Sequence, residues 1–273
     1  MFHFKQLIMY GMCNNSMTIT YDDVKKAQET QSEIIRKTSL EFSETFSKIC
    51  GAKVFLKNEY EQKTGSFKIR GAYYKIKSLT DEQKSKGVVA ASAGNHSQGV
   101  AFASNIENIP CTIVMPRTAS PAKVAATKSY GAKVVLEGST YDESWDHAQK
   151  ISAETNATVI HAFDDSNVIA GQGVIGLEIM EELPDVDEIY VPIGGGGLVA
   201  GIITAVKEKH PHVKIIGVES SAYPAMKKSL ESNSLETVSG DTTIADGISV
   251  KTPGKLTFDI VREKIDKIVT VDD

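Results

Sequence analysis

Short, nearly continuous apolar runs recur along the middle of the chain, and each is followed by a segment with helical spacing of apolar residues. Runs of this kind are typical of strands covered on both faces. They lie at residues 88–91, 112–115, 133–136, 158–160, 189–191 and 214–218. The predicted helices between them include residues 97–104, 122–130, 141–155 and 198–209. This alternation predicts an α/β fold with parallel sheets, in which ligands bind at the carboxyl ends of strands.

The N-terminal stretch does not follow this pattern. Residues 1–16 are mildly apolar but unlike a signal peptide, and we treat them as an N-terminal extension, with Met17 as a natural start. Thr20 is predicted to cap a helix that runs to about Arg36. No linker-like composition interrupts the chain, so any two domains are expected to be interleaved.

Composition narrows the class of protein. The 273 residues are 41% hydrophobic and 24% charged, with a net charge of −5, which is enough chain for a large core. A pI near 5.8 without a basic block argues against a nucleic-acid partner. No apolar run approaches the ~20 residues of a membrane span, so no membrane partner is expected. Cys13, Cys50 and Cys111 form no Cys-x-x-Cys pair, which predicts a reducing compartment, the cytoplasm.

A lysine stands in an unusual local context. Lys68 falls in the first turn of a predicted helix that opens behind Gly65, with Ser66 as its N-cap. The helix start, the charge of Arg70 and burial each disfavour an ammonium at Lys68. A neutral lysine forms a Schiff base, either with a substrate or with pyridoxal phosphate. The alternative is an ordinary lysine on a solvated helix face.

Residues 92–99 form a turn of small residues between a predicted strand and a predicted helix. Bare N–H groups at a helix start bind a carboxylate, and Ser92 and Asn95 add directional hydrogen bonds. The alternative is a tight turn in which Gly94 and Asn95 only supply left-handed backbone. His96 is predicted to be structural rather than catalytic.

Four consecutive glycines, residues 194–197, link another predicted strand to its helix. We call this segment the tetraglycine. A turn rarely needs four glycines, whereas a phosphate explains them through converging N–H groups and the helix dipole. The competing interpretation is a dinucleotide site, because Gly195, Gly197 and Ala200 fit G-x-G-x-x-A and Glu219 follows at about the expected distance.

Two further segments carry less chemistry. In the connection at residues 163–173, Asp165 or Ser166 is predicted to cap the next helix, with no independent chemistry. His210 and His212 have metal-like spacing, but they lie in a Lys-rich turn without a third ligand nearby, so we predict no metal there.

The motifs at residues 65–72, 92–96 and 246–248, together with the tetraglycine, resemble the threonine and serine dehydratases, which are fold-type II pyridoxal phosphate enzymes. The resemblance extends from about Met17 to the last residue. It implies two interleaved domains, each with a largely parallel sheet flanked by helices. The large domain would comprise residues 17–79 and 166–273, and the small domain residues 80–165. A small amino-acid substrate and a homo-oligomer are also implied.

The resemblance further implies roles for single residues. Lys68 would carry pyridoxal 5'-phosphate as a Schiff base, Phe67 would pack beside the pyridine ring, and Asn95 would bond its phenolic oxygen. The remaining cofactor ligands would be Gly194, Gly195, Gly196, Gly197 and Gly247. The substrate carboxylate would bind at Ser92, Ala93, Gly94, Asn95 and His96.

The implied reaction is β-elimination of L-threonine, or L-serine, to 2-oxobutanoate, or pyruvate, and ammonia, with Lys68 taking the α-proton. It would serve isoleucine biosynthesis or threonine catabolism. Related racemases place a second serine where this chain has Ala93, and a methyl group cannot carry a proton, so elimination is favoured. The alternatives are a serine racemase or other fold-type II lyase or synthase, an NAD-dependent oxidoreductase, and a catalytically weak cofactor-binding module.

The chain departs from the family pattern at two places. Glu219 matches the first ligand of a divalent-metal site in some relatives, but Tyr223 and Ala225 replace the expected second carboxylate, so we predict no metal. The chain stops at Asp273 after an apolar run, whereas family members continue to a Ser/Thr turn that contacts the pyridine nitrogen. We expect the chain to be a C-terminally truncated form that lacks this contact.

Overall fold

The structure is a computed structural model that describes residues 19–273. The predicted extension at residues 1–16 and the predicted start at Met17 lie outside this range. The helices are α1 (Tyr21–Gln31), α2 (Glu44–Cys50), α3 (Lys68–Lys77), α4 (Asp81–Lys86), α5 (Asn95–Ile106), α6 (Pro121–Ser129), α7 (Tyr141–Thr155), α8 (Ser166–Glu182), α9 (Gly197–Lys207), α10 (Ala225–Ser232) and α11 (Lys255–Lys264). Short 3₁₀ turns occur at Glu59–Glu61 and Asp246–Ile248.

The strands form three sheets. They are β1 (Leu40–Phe42), β2 (Phe55–Lys57), β3 (Val88–Ala91), β4 (Cys111–Met115), β5 (Lys133–Leu136), β6 (Thr158–Val159), β7 (Glu188–Pro192), β8 (Lys214–Ser220) and β9 (Lys267–Val271). A four-stranded parallel sheet has the order β5-β4-β3-β6, and a three-stranded parallel sheet has the order β7-β8-β9. Strands β1 and β2 form a separate antiparallel pair.

These sheets confirm the predicted α/β class and every predicted strand. The residues of β3 are all buried, as expected for a parallel strand covered by helices on both faces. One apolar cluster packs helices α1, α8 and α9 against the three-stranded sheet, and a second packs α3 and α5 against the four-stranded sheet. No helix within residues 19–273 is both long and apolar enough to cross a membrane.

Helix α3 lies between α5 and α8, and both neighbours approach its main chain closely because each has a glycine at the contact. A Cβ on Gly99 of α5 would lie 3.0 Å from the backbone N of Ile69, and a Cβ on Gly171 of α8 would lie 2.7 Å from the carbonyl O of Arg70. Any larger residue at either position would push α3 away. The first turn of α3 is therefore held from two sides by main-chain contacts.

The predicted first helix is only partly correct. Thr20 caps α1 as predicted, since its hydroxyl accepts the N–H of Asp23 at 3.2 Å. The helix ends at Gln31 rather than near Arg36. The side-chain amide of Gln62 explains the early end, because it pairs with both the N–H (3.1 Å) and the carbonyl (2.7 Å) of Arg36 and holds that residue out of a helix.

Candidate active site

Lys68 is the first residue of α3, but its helix is not capped as predicted. The N-cap position is Phe67, whose φ of −61° and ψ of −17° are already helical, and no side chain caps it. The buried Oγ of Ser66 has no hydrogen-bond partner within residues 19–273. The prediction of Ser66 as N-cap is therefore wrong, because the helix begins at Lys68 and its N-cap position is Phe67, one residue after Ser66.

The Lys68 amine makes one hydrogen bond with the described residues. Its Nζ donates to the carbonyl O of Ala162 at 2.9 Å and lies 5.2 Å from the centre of the Phe67 ring. Burial lowers the pKa of Lys68 from its ordinary value to about 8. A substantial neutral fraction is thus present just above neutral pH, as a nucleophilic or basic lysine requires.

Arg70 does not contribute to this lowered pKa in the way the sequence suggested. Its guanidinium is fully buried and bonds the Glu178 carboxylate at 2.6 and 2.9 Å. It also bonds both carboxylate oxygens of Glu59 at 2.8 Å. These acidic partners neutralise the arginine, and burial is the cause of the Lys68 shift. The predicted role for the Arg70 charge is wrong because two carboxylates distant in sequence converge on it.

The tetraglycine lies between β7 and α9, as predicted, and carries unpaired backbone donors. Gly195, Gly196 and Gly197 are buried. Among residues 19–273, no protein atom accepts from their N–H groups, and no side chain caps α9. Buried N–H groups nearly always have a partner, and a helix start carries partial positive charge. The loop therefore has the free donors and the positive helix end that an anion site needs.

The glycines themselves have a different cause from the one predicted. A Cβ on Gly195 would meet the Phe163 ring, and one on Gly196, at φ +94°, would lie 2.7 Å from Cε of Met226. Cβ atoms on the other two would also lie within about 3 Å of protein atoms. Close packing, together with the positive φ of Gly196, therefore gives these glycines a cause that does not need a phosphate. The support for the predicted anion site is instead the unpaired N–H groups.

A second unpaired helix start lies at the end of β3. Helix α5 begins at Asn95 behind Gly94, without a side-chain cap. The Ser92 hydroxyl accepts the N–H of Gly94 at 3.2 Å, and the described part of the chain holds no acceptor for the N–H groups of Asn95 and His96. Ala93 is half-buried in this turn. The turn thus presents free donors and a positive helix end, which suits a carboxylate.

His96 is buried beside this turn and is held in a neutral state. Its Nε2 lies 2.9 Å from the carbonyl O of Ile160. Burial, reinforced by the Lys68 charge, lowers the pKa of His96 to about 3. These observations agree with the predicted structural role, because a buried imidazole that stays neutral exchanges no proton near neutral pH.

The segment 161–165 contacts Lys68, the tetraglycine and the start of α11, and most of these contacts were not predicted from the sequence. Ala162 supplies the carbonyl that holds the Lys68 amine, and the Phe163 ring covers Gly195. Asp164 accepts three N–H groups at the start of α11 at 2.9 to 3.2 Å. Asp165 caps α8 as predicted. Only its position in the sequence could have indicated a role: the segment follows β6, whose carboxyl end lies at the same sheet edge as that of β3, before Ser92.

Two remaining predicted residues lie near or behind the loop. Gly247 is exposed, with open space where a Cβ would point. Its neighbour Ile248 packs against Gly194, where an added Cβ would lie 3.1 Å from Cα of Ile248. Glu219 is fully buried, and its carboxylate accepts the N–H groups of Met226 (2.8 Å) and Lys227 (2.9 Å). Burial raises the pKa of Glu219 to about 7. The dinucleotide interpretation is wrong on this point, because a carboxylate that caps α10 does not face a ribose.

Comparison with known proteins places this geometry in a family. Residues 31–273 match the family model of pyridoxal-phosphate dependent enzymes. Over 255 residues, 93% of the chain, it is 51% identical to an L-threonine ammonia-lyase of Thermotoga maritima and 47% identical to one of Geobacter sulfurreducens. It spans 64% and 63% of the length of these two relatives. The structure of maize serine racemase superposes with a TM-score of 0.90 at 36% identity, covering 93% of this chain and 77% of the racemase.

Proposed function

Because the chain belongs to the family of pyridoxal-phosphate dependent enzymes, we propose that it acts as a threonine ammonia-lyase. Loss of water from L-threonine gives an enamine that is hydrolysed to 2-oxobutanoate and ammonia, and L-serine gives pyruvate and ammonia in the same way. The observation that carries this proposal is the Lys68 amine, whose pKa of about 8 follows from burial and whose only protein acceptor in the described residues is a backbone carbonyl. The threonine ammonia-lyases that match 93% of the chain support the choice of substrate.

The residues present fit the family cofactor. The unpaired, buried N–H groups of the tetraglycine suit its phosphate, and the Phe67 ring next to Lys68 suits its flat pyridine ring. When bound, pyridoxal phosphate withdraws electrons from the substrate Cα and so makes the Cα proton acidic. The residues proposed to hold it are Phe67, Lys68, Asn95, Gly194, Gly195, Gly196, Gly197 and Gly247.

The turn at the end of β3 binds and orients the substrate. The unpaired N–H groups of Asn95 and His96 and the positive end of α5 receive the substrate carboxylate, while the Ser92 hydroxyl can donate to it. The residues proposed to form this seat are Ser92, Ala93, Gly94, Asn95 and His96. Lys68 Nζ, as the neutral base, accepts the Cα proton, and the β-hydroxyl then leaves.

Elimination rather than racemisation follows from Ala93. Racemisation needs a proton donor on the face of Cα opposite the base, and the Ala93 methyl group donates none. The side chain packs instead against the apolar cluster that includes α3 and α5. A serine racemase is the second candidate function despite Ala93, because the maize enzyme has a similar fold.

Steady-state production of 2-oxo acid tests the proposed function. The protein with pyridoxal phosphate should release 2-oxobutanoate from L-threonine, and Lys68→Ala should abolish this release because the base is lost. Lys77→Ala is the matched control, since Lys77 lies at the far end of the same helix and pairs with Glu107. Turnover by Lys68→Ala near the wild-type rate would contradict the proposal, as would serine racemisation faster than elimination.

The larger organisation is proposed on separate grounds. Residues 80–165 contain the whole four-stranded sheet and residues 166–273 the whole three-stranded sheet, which supports a small domain at 80–165 and a large one at 17–79 with 166–273. Exposed Phe46 and Ile49 on α2 support a homo-oligomer. The unpaired thiols of Cys50 and Cys111 support a cytoplasmic location. Light scattering after gel filtration measures the subunit number, and a monomer at micromolar concentration would contradict the oligomer.

A further inference from the structure

The connection between β6 and α8 presents the backbone carbonyl that directs the Lys68 amine. That carbonyl belongs to Ala162 and accepts from Nζ at 2.9 Å. Ala162 lies in no helix or strand, so the regular hydrogen bonds of a sheet or helix do not fix its orientation. Something else in the connection must hold the carbonyl in place.

The imidazole of His161 supplies that support. Its Nδ1 accepts the N–H of Asp164 at 2.8 Å and lies 3.3 Å from the N of Phe163, so both N–H groups following Ala162 point back to one ring nitrogen. An Nδ1 that accepts carries no proton, which places the proton of the neutral ring on Nε2. The peptide units on the C-terminal side of Ala162 are thereby tied to His161.

The ring is itself held in one orientation. It packs edge-on against Phe163, with centroids 4.7 Å apart, and against Trp145 of α7, with centroids 5.1 Å apart. Burial lowers the pKa of His161, opposed by the Asp164 and Asp165 carboxylates and reinforced by the Lys68 charge. The ring thus stays neutral near neutral pH, and Nδ1 remains able to accept.

We propose that His161 is a positioning residue for Lys68: its Nδ1 fixes the turn that carries the Ala162 carbonyl, and that carbonyl fixes the direction of the amine. The inference rests on the proposed role of Lys68 as the base. A displacement of about 1 Å at a reacting group can cost a hundredfold in rate, so such support matters for catalysis. The competing explanation is that His161 only fills space between Trp145 and Phe163.

A pair of variants distinguishes His161 as a hydrogen-bond acceptor from His161 as a space-filling side chain. In His161→Asn, Oδ1 is as many bonds from the backbone as Nδ1 and can accept the same two N–H groups. In His161→Gln, the acceptor moves one bond further out, to the level of Nε2. Both residues are polar and smaller than the ring, and Asn leaves the larger void, so a space-filling role predicts a loss in Asn at least as large as that in Gln. Thermal melting of each variant checks that the fold is intact.

Two readouts are measured for each variant. The first is the pKa of Lys68 in the cofactor-free protein, followed by the ¹³Cε chemical shift and assigned with Lys68→Ala. The second is kcat and KM for L-threonine in the holoenzyme. With Gln, we expect the pKa of Lys68 to rise above about 8 because water reaches the amine. We also expect kcat to fall about tenfold or more with KM changed less than about threefold. With Asn, the pKa and both constants should stay close to wild type.

The outcomes separate the two claims. A loss in Asn as large as that in Gln, or larger, would overturn the positioning role in favour of space filling, and no change in either variant would show that His161 has neither role. If the wild-type holoenzyme makes no 2-oxo acid, the proposed function fails, yet the Lys68 pKa still decides the inference. A raised pKa in Gln with an unchanged one in Asn would then support positioning alone.

Discussion

Replacing Lys68 with methionine should make the cofactor-free protein more stable at neutral pH. Burial lowers the pKa of Lys68 from 10.5 to about 8, so an amine that is protonated at pH 7 sits in an unfavourable place. Methionine has a similar length, carries no charge and packs well in irregular apolar space. A lysine kept at the expense of stability fits the proposed catalytic role.

The magnitude follows from linkage between proton binding and folding. Each pKa unit corresponds to about 1.4 kcal/mol, so a shift from 10.5 to about 8 corresponds to about 3 kcal/mol. Loss of the hydrogen bond to the Ala162 carbonyl offsets about 1 kcal/mol of this. We expect Lys68→Met to raise the free energy of unfolding at pH 7 by about 2 to 3 kcal/mol.

The gain should disappear in alkaline solution. Between the folded and unfolded pKa values of Lys68 the unfolded chain binds more protons, so the wild-type free energy of unfolding rises with pH relative to the variant. Above pH 10.5 the amine is neutral in both states and the penalty is gone. Urea denaturation of both proteins at several pH values between 7 and 10.5 measures the difference.

Lys77→Met is the matched control on the same helix. Glu107 raises the pKa of Lys77 through a hydrogen bond, so that ion pair is present below the ordinary lysine pKa and is lost as pH rises. The control should be slightly less stable than wild type at pH 7, by less than about 1 kcal/mol. The reasoning is refuted if Lys68→Met is less stable than wild type at pH 7. It is also refuted if the gain does not shrink by pH 10.5.

Further predictions concern the charge network, specificity and the tetraglycine. Arg70→Met should cost about 3 to 5 kcal/mol in urea denaturation, because Glu59 loses its cation and Glu178 keeps only Lys57. Adding Glu59→Gln should recover part of this, and a loss below about 1 kcal/mol would contradict the buried pairing. Ala93→Ser should raise D-serine formation relative to pyruvate, measured by chiral chromatography, and an unchanged ratio would count against Ala93 as the determinant. Gly196→Ala should lower the melting temperature and weaken pyridoxal phosphate retention, because it adds a Cβ at φ +94° and 2.7 Å from Cε of Met226. The control Gly247→Ala places its Cβ in open space and should not lower the melting temperature. Equal melting temperatures for the two variants would contradict the packing argument.

Local pattern was enough to place the strands and the turns that follow them. Runs of apolar residues marked β3 and β7, so Ser92 and the tetraglycine were expected at strand ends, where the structure has them. Capping chemistry is equally local, and Thr20 and Asp165 cap their helices as predicted. The roles assigned to Lys68 and the other site residues stay proposals.

Contacts between distant parts of the chain could not be predicted from the sequence. Arg70 meets Glu178 108 positions away, and the Lys68 amine meets the Ala162 carbonyl 94 positions away. Nothing near Arg70 in the sequence shows that carboxylates will neutralise it. Backbone carbonyls leave no sequence signal at all, which is why Ala162 was missed. The packing around the tetraglycine likewise depends on Phe163 and Met226, which only the folded chain brings close.

The close backbone approach around α3 has a consequence for how this protein tolerates change. Since Gly99 and Gly171 let neighbouring helices touch the main chain of α3, the placement of Lys68 does not depend on the side chains of those helices at the two contacts. Most side chains on the outer surface of α3 can then vary during evolution or engineering without moving the amine. The two glycines and the buried residues of α3 tolerate much less, so a library that varies the surface and spares them should keep the geometry around Lys68 while altering solubility or assembly.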